Sequence, residues 1–259
     1  MKRLILIQND FTGSGKTTLM RVLQRYLDRH QVPHLALCLT EAEGDDEDGI
    51  QRLSVDALYQ NGLEPYLQAV DLVLLEVESG LAEAVSEHLE HFSILASLER
   101  DALEILMALP VTSDEESFDG VLSAARTYGD QVQYAVFHMA TGSEYDEAET
   151  VWENSRAARM MDLLDGVDVT LPAPSAELET EIHTIDLDLS DALAHEWTHM
   201  PLQGLLQKWM VKLSAQLDPA RRLLFGDACR AAIAVNERLP ASQKSARGKK
   251  TAPVAALPA

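Results

Sequence analysis

The segment LILIQNDFTGSGKTTLMRVL, residues 4–23, decides the fold. It opens on four consecutive apolar residues, turns through a glycine-containing stretch, and runs through GKTT into an amphipathic segment. There Leu19, Val22, Leu23, Tyr26 and Leu27 recur at helical spacing. Strand, glycine turn and helix form the setting that a phosphate-binding loop requires. Gly13 and Gly15 let backbone N–H groups turn inward around phosphate oxygens, and the helix N-terminus adds its partial positive charge. Lys16 is then the group that reaches the β- and γ-phosphates, and the Thr17 hydroxyl the one that ligates Mg²⁺. The pattern G-x-x-x-x-G-K-[ST] is met except at its first position, where Asp10 stands. The expected nucleotide contacts are Gly13, Ser14, Gly15, Lys16, Thr17 and Thr18, with Lys16 in the catalytic role and ATP with Mg²⁺ as ligand.

Outward from this segment, further apolar runs alternate with stretches of helical period. HLALCL (34–39), LVLLEV (72–77), LEILMALPV (103–111) and VQYAVFHM (132–139) read as buried strands like LILI (4–7). Continuous rather than alternating apolarity predicts a parallel sheet covered on both faces, an α/β, Rossmann-like P-loop NTPase fold flanked by helices. Ser113 and Glu116 have the spacing of a capping box before a helix. From about residue 186 the pattern is mostly helical, and Pro201 and Pro219 stand where helices can begin. The expectation is one domain over 1–239 and a disordered basic tail over 240–259. A second acid should follow a later strand, and DLVLLEVESG supplies Glu76 at the strand end with Glu78 beyond. Glu76 is the expected metal partner of Thr17.

Composition narrows the function. The chain of 259 residues is 46% apolar, and no apolar run approaches a transmembrane length of roughly 18 residues. No signal peptide is expected. Cys38 and Cys229 form no C-x-x-C and read as buried core cysteines in a reduced, cytoplasmic setting. The net charge is −21, and Lys244, Arg247, Lys249 and Lys250 of the tail meet no acid there. The body thus holds 17 basic against 42 acidic side chains, a net of −25. Phosphate backbones are bound by clustered Lys and Arg, so the body is not expected to bind DNA directly. A protein-facing or small-molecule role remains, without a membrane. The acidic run EAEGDDED (41–48) follows the second strand and reads as solvated loop.

LIQNDFTGSGKTT resembles the deviant Walker A loop of ParA/MinD-type ATPases, above all plasmid-borne relatives of the TraL kind, which reads roughly N-D-K-G-G-V-G-K-[ST]. DLVLLEVESG resembles the Walker B strand, and LPVTSDEESFDGVLSAA the following strand and helix. VQYAVFHMATGSE stands where the family has a strand ending in a base-contacting loop, and LPAPSAELETEIHTIDLDLSDAL resembles the late segment before the terminal helices. The resemblance covers about residues 2–215 and implies a nucleotide switch with a protein partner, a homodimer, and work in partition, conjugation or cargo positioning. Two departures stand out. Phe11 occupies the place of the signature lysine, which in the family crosses the dimer interface to the partner's nucleotide. ALCLTEAEG also lacks the aspartate that commonly ends that strand, with Glu41 and Glu43 the nearest acids. Lost charge stabilisation slows phosphoryl transfer by orders of magnitude, so weak or partner-dependent hydrolysis is expected.

Other patterns compete. His195-Glu196-x-x-His199 has the spacing of a zinc peptidase, with both histidines on one helical face and Glu196 as base. Pro201 and the want of a third ligand (Leu202 stands where the extended motif has glycine) argue for structural or surface histidines instead. Trp152, Trp197 and Trp209 read as packing residues, and Met160, Met161, Leu163 and Leu164 as one helix face. Two alternatives to the switch ATPase stay open, a non-hydrolysing interaction protein with a degenerate site and a P-loop small-molecule kinase. The kinase would want an arginine-rich lid, whereas the candidate lid regions here are acidic.

Overall fold

The computed structural model describes residues 2–41, 43–46, 48–91, 103–139, 151–194 and 200–238, with backbone alone for 91 and 228–238. Seven strands form one sheet: β1 (Lys2–Ile7), β2 (Leu35–Thr40), β3 (Gln51–Ser54), β4 (Leu72–Val77), β5 (Leu103–Val111), β6 (Gln133–Met139) and β7 (Val167–Leu171). Their order is β3-β2-β4-β1-β5-β6-β7, and every pairing is parallel. This is an α/β P-loop NTPase fold, with β1 central and its loop opening at the C-terminal edge of the sheet. The five strands expected from apolar runs are all present. The two unforeseen ones, β3 and β7, are edge strands. QRLS and VDVTL are half-solvated, so neither carries the continuous apolarity that marks a strand covered on both faces.

The helices are α1 (Lys16–Arg29), α2 (Val55–Asn61), α3 (Glu64–Ala69), α4 (Ala82–His91), α5 (Glu116–Tyr128), α6 (Arg156–Leu163), α7 (Ala176–Thr184), α8 (Leu189–Ala194) and α9 (Met200–Arg238). Alternation along each strand divides them into two layers. Ile5, Ile7, Leu72 and Leu74 face α1, α7, α8 and α9, whereas Leu4, Leu6, Leu75 and Val77 face α2 to α6. Consecutive helices begin at Ala176, earlier than the expected 186, directly after β7. Among the described residues no helix is long and apolar enough to cross a membrane.

Several local expectations are corrected. Ser113 does not cap α5. Asp114 Oδ1 accepts from the Glu116 N–H at 3.0 Å, and the Ser117 hydroxyl accepts from Thr112 N–H and donates to the Asp114 carbonyl. Pro219 does not begin a helix but lies inside α9, and the break comes at Gly226, with φ 56°. The chain stays helical through the proline because Leu213, Leu217, Leu224 and Phe225 are all buried, and Tyr26 stacks on Phe225 and donates to Asp218. At Gly226 the Arg3 guanidinium, ion-paired with Glu104, takes up the freed Leu223 carbonyl. Leu163 is 80% exposed and does not share the buried face of Met161. Cys38 is half-buried rather than buried, in register with Glu76, and the Cys229 side chain lies outside the described residues. Trp152 does pack, edge-on against Phe118 and His138, and Trp197 lies outside the described residues.

One glycine ties the fold to the loop. A Cβ at Gly120, inside α5, would stand 2.3 Å from Asn9 Oδ1. Alanine in a helix interior ordinarily gains up to about 1 kcal/mol over glycine. Here overpacking against a buried, doubly bonded amide costs about 1–3 kcal/mol. Gly120→Ala is therefore expected to destabilise the protein, read as a lower urea midpoint at unchanged slope.

Candidate functional site

The loop is built from Asn9 outward. Asn9 is 1% exposed, and its Nδ2 donates to the carbonyls of Pro110 and Ser117, both at 2.8 Å. Its Oδ1 accepts from Phe11 N–H at 2.9 Å. The end of β1 is thereby fixed to the end of β5 and the first turn of α5. Asp10 Oδ1 accepts from Gly80 N–H at 3.1 Å, linking the loop to the turn after β4. Gly13 and Gly15 take φ of 87° and 91°, the left-handed region that a Cβ disfavours. At Gly15 the Met139 side chain would also crowd a Cβ, at 3.0 Å.

Whereas α2, α6 and α7 are capped by the hydroxyls of Ser54, Ser155 and Ser175, α1 starts from Gly15 with no side-chain cap and no acid in its first turn. Its first N–H groups are left for a ligand. Ser14 is wholly buried, and its hydroxyl has no hydrogen-bond partner among the described residues. An anion bearing several acceptor oxygens fits both features.

Lys16 is buried at the mouth of this loop. Its ammonium donates to the Asn9 carbonyl at 2.6 Å and the Ser79 hydroxyl at 2.8 Å. Burial lowers its proton affinity, against the pull of Glu76 and Asp10. Thr17 Oγ1 donates to Glu76 Oε1 at 2.6 Å. Glu76, 6% exposed, stands in register with Ile7 of β1 and Cys38 of β2. Burial raises its proton affinity, opposed by the Thr17 hydrogen bond, Lys16 and Arg21. A hydroxyl and one carboxylate are the hard oxygen donors that Mg²⁺ takes while keeping places for phosphate and water. The residues present fit ATP with Mg²⁺.

The remaining expected residues are placed as follows. Thr18 borders a cavity of about 440 Å³ that opens from Gly13, Ser14 and Gly15 and is walled by β6, β7, α7 and α9. Glu78 is exposed, as are Glu41 and Glu43, and no described hydrogen bond joins these three to Lys16, Thr17 or Glu76. Phe11 is half-buried on the lip of the loop. His195, Glu196 and His199 lie outside the described residues. Among the described residues no three His, Cys, Asp or Glu side chains gather to hold a metal.

Sequence reasoning missed Asn9 as the anchor, Ser79 as the lysine's partner and Arg21 beside Glu76. Arg21 donates to the Asp48 carbonyl at 2.9 Å, and Arg52 N–H donates to Asp46, so the acidic run is partly pinned rather than wholly solvated. The bonds of Asn9 to Pro110 and Ser117, of Lys16 to Ser79 and of Arg21 to Asp48 join residues far apart in sequence, and no local pattern announces them.

No family model matches the chain, and no curated protein matches it. Among solved structures it is similar to MinD in the MinC:MinD cell division protein complex of Aquifex aeolicus. That likeness has 13% identity, a TM-score of 0.45, and covers 85% of this chain and 96% of that one. MinD cell division protein of Aquifex aeolicus gives 13% identity and TM-score 0.42, over 80% of this chain and 98% of that one. The pNOB8 ParA gives 12% identity and TM-score 0.46, over 86% and 99%. The P-loop fold of this chain follows from its sheet order and the geometry of the loop between β1 and α1.

The Glu76 environment yields a test. Because burial raises its proton affinity above that of the unfolded chain, its contribution to stability is full below the ordinary carboxylate range and lost as pH rises through the raised value. Glu76→Gln keeps a carbonyl acceptor for Thr17 and removes the buried charge. Without nucleotide or metal, it is expected to be more stable than wild type at about pH 8, the difference shrinking toward about pH 5. Urea titrations at both pH values check this; a variant less stable at the higher pH would contradict it.

Proposed function

We propose that the chain binds ATP with Mg²⁺ and acts as a slow or partner-dependent ATPase of ParA/MinD-like type, a nucleotide switch. The carrying observation is the Thr17–Glu76 pair at 2.6 Å beside the buried Lys16. On this reading Gly13, Ser14, Gly15 and the first turn of α1 hold the phosphates. Lys16 exchanges the Ser79 hydroxyl for a phosphate oxygen. Thr17 holds the ion, and Glu76 holds it directly or through water. Bound Mg²⁺ supplies charge neutralisation at the β- and γ-oxygens. Phe11 carries neither charge nor donor, so it contributes nothing to the developing charge. The resulting switch engages a protein partner and a second copy of the chain, in the cytoplasm, with residues 1–239 as its working unit. Plasmid or DNA partition, conjugation or cargo positioning is the setting that the loop's resemblance supports.

Calorimetric titration with ATP and with ADP, in Mg²⁺, tests the reading. Micromolar or tighter binding is expected, weakened about 100-fold or more in Lys16→Ala. Failure to bind either nucleotide would overturn it. Phe11 favours a second reading, a non-hydrolysing interaction protein. Phosphate release by the isolated chain is expected to be slow but above that of Lys16→Ala; release equal to that variant's, with and without candidate partners, decides for the second reading.

A further inference from the structure

We infer that Ser79 sets the affinity of this site: its hydroxyl holds the phosphate's place on Lys16 until a triphosphate displaces it. The inference rests on the nucleotide reading above. The turn that carries Ser79 is built between two fixed points. Glu78 N–H donates to the Leu39 carbonyl of β2 at 3.2 Å, and Leu81 N–H closes the turn on the Glu78 carbonyl at 3.1 Å. Leu81 belongs to the same buried cluster as Val85 and Leu89 of α4. Between these points Ser79 and Gly80 are exposed.

Two bonds fold this turn onto the phosphate loop. The Lys16 ammonium donates to Ser79 Oγ at 2.8 Å, and Gly80 N–H donates to Asp10 Oδ1 at 3.1 Å. They join adjacent residues of the turn to the two ends of the loop, so each helps to hold the other in place. The unliganded loop is thus latched to the turn after β4.

An ammonium has three donors. One goes to the Asn9 carbonyl at 2.6 Å and a second to Ser79. A lysine that reaches both the β- and the γ-phosphate needs two, so one of these partners has to give way. Asn9 is buried at the end of β1 and tied to β5 and α5, whereas Ser79 lies on an exposed turn. Water can take over the released hydroxyl at little cost. Ser79 is therefore the partner that yields. The bond lost is charge-assisted, stronger than one between neutral groups. A ligand has to return more than it displaces, and a triphosphate can do so through several oxygens on the loop N–H groups.

Equilibrium titrations of the full chain and of Ser79→Ala with ATP and with inorganic tripolyphosphate, each in Mg²⁺, test this. Ser79→Ala is expected to bind both ligands about three- to tenfold more tightly than wild type, by the same factor, because the competing contact lies at Lys16. Ser79→Thr keeps the hydroxyl and should bind as wild type does. Unchanged binding in Ser79→Ala overturns the inference, and weaker binding overturns it by making the hydroxyl a phosphate ligand instead. A gain for ATP alone also overturns it, since the effect would then lie at the base or ribose. Failure of wild type and both variants to bind either ligand overturns the nucleotide reading itself. Amide hydrogen exchange gives a second readout. Mg²⁺ with ATP should speed exchange at residues 79–80 while slowing it at 14–17; slower exchange at Gly80 would show the turn closing on the ligand and overturn the displacement.

Discussion

A single buried amide holds the site to the sheet. Asn9 donates to Pro110 and Ser117 and accepts from Phe11, so β1, β5, α5 and the loop meet at one side chain. Each of these bonds nets about 1 kcal/mol, but leaving one buried partner unsatisfied costs about 1–3 kcal/mol. Lys16 in turn donates to the Asn9 carbonyl, so the position of the cation follows from the anchor. Gly120 is the complement to this arrangement, a helix-interior residue without a side chain because the Asn9 amide fills that space.

The proposed anion site lies in a chain of net charge −21. Exposed acids at the surface are screened over about 8 Å at physiological ionic strength, so their sum matters less than the groups within the loop. There the uncapped start of α1, the buried Lys16 and the orphan Ser14 hydroxyl gather, the groups proposed to meet a phosphate. Glu76 is the opposing charge. Its burial makes the bare carboxylate costly, and a divalent cation held with Thr17 would offset that cost. Arg21 acts on both sides of this balance, favouring the Glu76 carboxylate and binding the carbonyl of Asp48. The acidic run after β2 is thus partly built into the wall.

What could be read from sequence follows the range of the physics involved. The loop, β1 and α1 were legible because strand, turn and helix are contiguous and each leaves its own period or glycine signature. The five covered strands were legible because burial on both faces demands continuous apolarity; QRLS and VDVTL were not, because an edge strand needs only half of that. Pro219 misled because packing of Leu217, Leu224 and Phe225 outweighs one missing hydrogen bond. Glu76 was found as an acid ending a strand, whereas its 2.6 Å bond to Thr17 depends on parallel register between β1 and β4. Ser79 and Arg21 act through partners distant in sequence, as does the Asn9 amide nitrogen in its bonds to Pro110 and Ser117, and no neighbour in the chain announces those pairings.

Phe11 separates two properties that a phosphate loop ordinarily joins. Everything proposed to hold a triphosphate lies within the chain and behind the lip: the two left-handed glycines, Ser14, Lys16, Thr17 and Glu76. The residue at the lip bonds through its backbone, its N–H to Asn9 and its carbonyl to Ser14 N–H, and presents a ring where a cation would add charge. Ground-state binding draws on the first group and is undisturbed by the substitution. Acceleration requires charge that strengthens as the transition state forms, and a phenyl ring supplies none. On the proposed reading a triphosphate held by such a loop should turn over slowly, and any cation beyond Lys16 and the metal that hastens the step has to come from outside the loop.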